Sequence, residues 1–137
     1  MNDTRMLGQP LRTGPRSPAE KTFRHTDIPA ARRFAAPFGA HAGMGPARLA
    51  DFVLAVSEAA ACAVGHGPCT ARLRLWASGQ RAFCEVRGGG VALQPGWDTR
   101  HGDAEALRRW LLRQVCDHVR VESGPHGVTV CFSMAIS

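Results

Sequence analysis

Several absences narrow what this chain can be. No stretch approaches the ~18 apolar residues of a membrane-spanning helix. The opening stretch MNDTRMLGQPLRTGPRSP has no apolar block between its arginines, so no secretory signal is read. Lysine is nearly missing: Lys21 is the only one, and the net charge of +6 rests on arginine. That charge is dispersed, five cations against two anions over residues 1–25 and twelve against nine over the rest, so no dense basic patch marks a nucleic-acid surface. The five cysteines (Cys62, Cys69, Cys84, Cys116 and Cys131) are odd in number, lack CxxC spacing, and four of them fall in apolar helix or strand patterns. They read as small buried hydrophobes in a reducing compartment, and the expected location is the cytoplasm. No internal repeat is present.

What is there amounts to one domain. A chain of 137 residues buries roughly two thirds of its unfolded surface, enough for a core without disulfides or metal. Hydrophobic residues make up 45% and charged residues 20%, an ordinary soluble balance. Residues 1–19 carry Pro10, Pro15 and Pro18 among Gly, Ser, Thr and Arg, the composition of a disordered tail. The folded domain is expected over residues 20–137.

The longest helix-forming run is Leu49 to His66, LADFVLAVSEAAACAVGH. Pro46 suits a first helical turn, where its missing N–H costs nothing, and Gly65 and Gly67 stand where a helix stops. Leu49, Phe52, Val53, Val56, Ala60 and Ala63 recur at three- and four-residue steps and predict one buried face. Glu58, Cys62 and His66 follow at four-residue spacing and line one flank of the same helix. A Cys and a His one turn apart are a possible Zn²⁺ pair, but no second pair of ligands is recognisable, since Cys116 and His118 are two apart. No metal site is assigned.

Around this helix the chain divides by its punctuation. Glu20–Thr26 predicts a short strand, and Asp27 or Thr26 caps a helix that Pro37 and Gly39 should end near Phe38. Thr70–Ala77 and Arg81–Arg87 alternate with period two around a turn at Ser78–Gln80 and predict a hairpin, with Ala82, Cys84 and Val86 inward. A glycine-bearing loop runs from Gly88 to Gly102. Asp103 should cap a helix to Val119, buried through Leu107, Leu111, Val115 and Val119. Residues 119–123 and 128–134 predict a second hairpin. The expected architecture is α+β, a two-layer sandwich with a mixed, mostly antiparallel sheet and about three helices on one face.

Three separated strings give this order a resemblance. Leu54-Ala55-Val56-Ser57-Glu58-Ala59-Ala60-Ala61-Cys62-Ala63-Val64-Gly65-His66, the later Trp110-Leu111-Leu112-Arg113-Gln114-Val115-Cys116-Asp117, and Gly127-Val128-Thr129 resemble the anti-sigma-factor serine kinases of bacteria. These belong to the histidine-kinase-like (GHKL) ATPases, and the likeness runs from about Phe23 to Met134. The resemblance implies an ATP site between the central helix, the glycine loop and a lid, with Mg²⁺ held by a helix asparagine and the phosphates. It also implies a helix glutamate as base toward a partner's serine. Glu58 matches that glutamate and His66 the family histidine, while Thr129 falls in the matching last hairpin.

Other positions depart. Cys62 stands where the asparagine belongs, and a soft thiol is a poor Mg²⁺ ligand. Gly88 stands for the aspartate of D-x-G-x-G that binds adenine; Gly90 is kept, but Ala92 replaces the next glycine. The lid's glycine-rich GxGL becomes Ala106-Leu107-Arg108-Arg109, with less backbone freedom to wrap phosphates. The expected function is therefore a regulatory protein that binds a sigma factor or an anti-anti-sigma partner through its helical surface. On this reading Mg·ATP binding and kinase activity are weakened or lost, and homodimerisation is open. The alternative is a working ATP-dependent serine kinase; a basic nucleic-acid accessory protein is more remote, because no reader motif is present.

Overall fold

The structure, a computed structural model, describes residues 18–65, 69–89, 99–125 and 127–137, those of 99–105 as backbone only. Residues 1–17 of the expected tail, the triplet beginning at His66, and Gly90 with most of the loop after it lie outside the described residues, while Ala19, expected in the tail, already belongs to the sheet. The fold is an α+β two-layer sandwich. Strands β1 (Ala19–Arg24), β2 (Thr70–Ser78), β3 (Arg81–Gly88), β4 (His118–Gly124) and β5 (Gly127–Ala135) form one sheet in the order β1-β2-β3-β5-β4. Every pairing among them is antiparallel. Helices α1 (Ile28–Ala42), α2 (Pro46–Val64) and α3 (Thr99–Val115) make the second layer.

Helix α1 begins where Asp27 accepts a bond from the Ala30 amide at 3.2 Å, with a proline in the first turn. It does not stop near Phe38: it runs through Pro37 to Ala42 and closes on Gly43 at φ 105°. Losing one intrahelical bond at Pro37 is outweighed by packing beyond it. Gly39 is buried there, and a Cβ at that position would stand 2.6 Å from Leu49 Cδ1, so its bareness lets the two helices close up. The Arg32 guanidinium donates to Ser57 Oγ at 2.9 Å across the same seam.

Helix α2 occupies the centre of the layer. Phe52, Val56, Ala60 and Ala63 are buried as the periodicity predicts, and so are Ala55, Ala59 and Cys62, because α2 is flanked by helices as well as floored by the sheet. The Phe52 ring meets Phe38 and Phe132, each at a centroid distance of 6.0 Å, and so joins α1, α2 and β5.

Helix α3 departs from expectation in both extent and phase. It ends at Val115, and Val119 belongs to β4. Its buried residue is Leu112, whereas Leu107 is 57% and Trp110 55% exposed. Leu107, at the head of the expected stripe, is displayed, and Val115 at its foot packs against the core, because α3 lies mainly along α2 and meets it through Leu112.

Alternation places Ala71, Leu73 and Leu75 of β2, Ala82, Cys84 and Val86 of β3, and Val130, Phe132 and Met134 of β5 under the helices. Gly88 continues that series. A Cβ at Gly88 would lie 1.9 Å from the Ala63 carbonyl oxygen, so the last turn of α2 rests on β3 only because residue 88 has no side chain. Gly88→Ala should therefore cost about 3 kcal/mol or more in urea unfolding, whereas Gly124→Ala, where nothing stands within 4 Å, should change stability by about 0.5 kcal/mol or less.

Candidate functional site

The flank of α2 that carries Glu58 faces α3. Glu58 is partly covered, its side chain 23% exposed, and its Oε1 stands 3.8 Å from Arg108 Nε. Such a half-exposed pair is worth at most about 1 kcal/mol. Its importance is positional, because Arg108 sits where the resemblance puts the lid and its charge is directed at the family's base position.

Cys62, one turn further along α2, is 2% exposed and belongs to the apolar core. Val64 ends the helix, and its carbonyl accepts from Cys69 Sγ at 3.3 Å. The His25 amide donates to the Cys69 carbonyl at 2.9 Å and the Cys69 amide donates to His25 Nδ1 at 3.3 Å, so the chain leaving α2 is tied to the end of β1.

Gly88 lies beneath this end of α2, against Ala63 and Val64. The position matched to an adenine-binding aspartate is thus a backbone-to-backbone contact. A carboxylate there would require the last turn of α2 to lift away from the sheet. Gly88 is buried and ends β3, and the Gly89 amide donates to Thr70 O at 3.2 Å, which continues the pairing by one residue.

The remaining matched residues do not converge on one point. Ala106 and Leu107 are exposed on α3. Thr129 pairs with Arg87 and Glu122 on the face of the sheet away from the helices, because Val128 and Val130 take the helical side. Thr129 lines a hollow of about 290 Å³ with Arg87, Glu122 and Gly127, separated from Glu58 by the sheet itself. A larger hollow of about 480 Å³ lies at the end of α3 among Arg113, Cys116, Asp117, His118 and Arg120. Neither includes Glu58, Cys62 or Gly88.

Among the described residues no three of His, Cys, Asp and Glu are grouped to hold an ion. Burial pushes the Cys84 thiol well up, and those of Cys116 and Cys131 to about 12 and about 11, with the carboxylates of Asp117 and Glu85 respectively adding to burial. No helix of the described chain is long and apolar enough to cross a membrane.

With this geometry in hand, the sequence matches no protein-family model and no curated protein.

From the sequence Trp110 reads equally well as a partner anchor and as a residue packed against the sheet, and the structure displays it on α3. The closeness of Gly88 to Ala63 is carried by no local signal.

The raised thiols give a definite pH dependence. The folded chain holds the Cys116 and Cys131 protons from the ordinary 9.0 up to about 12 and about 11, so stability is full below pH 9 and falls as pH rises toward those values. The slope should reach about 1.4 kcal/mol per pH unit for each thiol. Urea midpoints measured between pH 8 and pH 10.5 should decline accordingly, and replacing both residues with Ala should lessen that decline, leaving the share of Cys84, whose thiol is raised as well.

Proposed function

We propose that this protein is a regulatory binding module of the anti-sigma type, which captures a sigma factor or an anti-anti-sigma protein on its helical layer. Its nucleotide site, on this reading, is weakened or lost. The observation that carries it is where the large apolar side chains are displayed. Leu54 is 41% exposed on α2, and Leu107 and Trp110 are 57% and 55% exposed on α3, whereas the leucines and phenylalanines of the sheet are enclosed.

Leu107 and Trp110, three residues apart, share one face of α3. Cys116 at the end of α3 feels Asp51 and Arg48 near the start of α2, while Arg108 reaches Glu58 further along, so the two helices run antiparallel. Leu54 lies one turn before Glu58 on α2, while Leu107 and Trp110 turn away from the face on which Arg108 meets Glu58, so Leu107 with Trp110 forms the displayed patch of α3 and Leu54 stands on the neighbouring helix. Displayed tryptophan with adjoining arginine is the composition of a protein-binding hot spot. Around it Arg109 and Arg113 supply cations and Asp51 and Glu58 anions, a mixed rim suited to a folded protein rather than to a polyanion.

Two observations support the reduced role of nucleotide. The Ala63 carbonyl occupies the space into which a side chain at residue 88 would project. Cys62 is enclosed in the core, where it offers a thiol in place of an oxygen ligand. Glu58 keeps its place, but it is ion-paired with Arg108 rather than open toward a substrate hydroxyl.

Purified sigma factors and anti-anti-sigma proteins of the host, tested one by one by calorimetry, examine the reading. One of them should bind, and Trp110→Ala should weaken that binding by about 2 kcal/mol or more, roughly thirtyfold, with the fold unchanged by circular dichroism. A partner bound equally by wild type and Trp110→Ala would place the interface elsewhere. Phosphate transfer from ATP to a serine of that partner, abolished by Glu58→Gln, would favour the working kinase instead.

A further inference from the structure

The sheet is sealed along one row of its helix-free face and open along one edge. Trp76, Phe83 and Ser133, neighbours across β2, β3 and β5, are buried, the two rings stacked at a centroid distance of 5.4 Å, and they present no surface to a ligand. Strand β1 is the opposite case. It is outermost in the sheet, pairs only with β2 among the described strands, and exposes Glu20, Lys21 and Thr22.

Two hydrogen bonds fix which main-chain groups of β1 face outward. The His25 amide donates to the Cys69 carbonyl at 2.9 Å, one step beyond the Arg24–Thr70 pair, so Phe23, Lys21 and Ala19 likewise direct their N–H and C=O toward β2. The groups of Glu20, Thr22 and Arg24 therefore point away from it. Arg24 agrees with this phase, since its carbonyl accepts from the Asp27 amide at 2.8 Å. The Arg24 amide and both groups of Thr22 and Glu20 form a row on which a further strand can pair.

Cations border that row. Lys21, the only lysine of the chain, lies on the helical side of β1, because it and buried Phe23 oppose the inward residues Leu73 and Ala71 of β2. Between Lys21 and α1 is a hollow of about 240 Å³, walled by Ala30 and Phe34 and bordered by Arg33. On the helix-free side Arg24 and half-exposed Arg72 flank the same strand. The nearby anions are engaged: Glu20 meets Arg74 at 3.2 Å and Arg72 at 3.9 Å, while Asp27 caps α1 and meets Arg33 at 3.6 Å. A copy of β1 paired antiparallel about Thr22 would set Phe23 opposite Lys21 and bring no carboxylate to the hollow.

From this edge we infer that β1 is a docking strand for an extended acidic peptide, which adds antiparallel as a sixth strand and sets a Glu or Asp side chain opposite Lys21, in the hollow it shares with Arg33. Main-chain bonds supply the affinity, and the two cations supply register and choice of partner. The site lies on the α1 side of the layer, apart from α3, and is independent of what the exposed residues of α2 and α3 bind.

The probe is the peptide TVEVEVEVT, titrated by calorimetry at low ionic strength, where exposed charges are least screened. It should bind saturably and tighter than about 1 mM, and its counterpart TVKVKVKVT at least about tenfold more weakly. With a glutamate opposite Lys21, the valines fall opposite Glu20, Thr22 and Arg24 and take the main-chain bonds. N-methylation of the valines should therefore abolish binding, while N-methylation of the glutamates leaves it intact. Thr22→Pro removes an outward N–H that the sheet does not use, and it should weaken binding at least about tenfold with circular dichroism unchanged. Lys21→Glu with Arg33→Glu should do the same. Absence of saturable binding overturns the inference, and so does undiminished binding of the valine-methylated peptide or by the Lys21→Glu, Arg33→Glu chain. Displacement of the peptide by an equal concentration of a single-stranded oligonucleotide of the same charge overturns it in favour of a polyanion surface. Self-association of the chain that Thr22→Pro abolishes overturns it as well, and gives the edge to a second copy.

Discussion

The contact on which the arrangement depends is the one between Gly88 and the last turn of α2. A hydrogen atom rather than a methyl group at residue 88 lets the Ala63 carbonyl come down onto β3. The same economy recurs along α2, where Ala55, Ala59, Ala60 and Ala63 are all buried, and at Gly39, which lets α1 approach Leu49 and Phe52. Small residues at these crossings set the helices low on the sheet. Phe52, pinned between Phe38 and Phe132, then fills the space that remains. The layer closes at the place where the family resemblance would leave room for a base.

The sheet's other face is governed by charge rather than by helix packing. Glu85 is 6% exposed there and is flanked by Arg74 at 3.9 Å and Arg87 at 3.7 Å, with Arg74 also reaching Glu20 at 3.2 Å. Enclosing one carboxylate between two guanidiniums offsets much of its desolvation, whereas removing either partner would leave a charge uncompensated. At the carboxyl end of the sheet Asp117 does similar work, accepting from Arg81 at 3.2 Å and from the Ala135 amide at 2.9 Å, and so ties β3, the start of β4 and the end of β5 together. The helix-free face thus combines an aromatic row with an ionic one.

Much of this was legible in the residues. Pro46 and Gly65 bracket α2, Gly79 marks the first hairpin with φ 61°, and the two-residue alternation of β2 and β3 gives the inward faces correctly. The α+β sandwich followed from the order of these elements. What escaped depends on partners distant in sequence. The end of α1 was expected near Phe38 because local rules see Pro37 and Gly39 but not Leu49 and Phe52 packing against the turn beyond them. Of the stripe Leu107, Leu111, Val115 and Val119, the two valines pack against the core while Leu107 is displayed, because a leucine repeat cannot say which neighbour it will meet and α3 turns Leu112 inward. Cross-strand register, invisible in a single strand's pattern, created the Trp76–Phe83–Ser133 row. Gly88 looked like a lost aspartate; the fold gives the glycine a reason of its own.

For the candidate site, the sequence placed Glu58 and Cys62 on one helix, and the structure distinguishes them: Glu58 meets Arg108 at the surface while Cys62 is sealed in the core. Thr129, one residue out of phase with Val128, is turned to the opposite face. The proposed binding role rests on the display of Leu54, Leu107 and Trp110, and the proposed loss of nucleotide on the closed end of α2 over Gly88. The most direct measurement of that claim is a calorimetric titration of the full chain with Mg·ATP. The account predicts no binding tighter than about 100 µM, some 5.5 kcal/mol. Saturable binding tighter than this would contradict it, and would mean that the last turn of α2 lifts from Gly88 to admit the base.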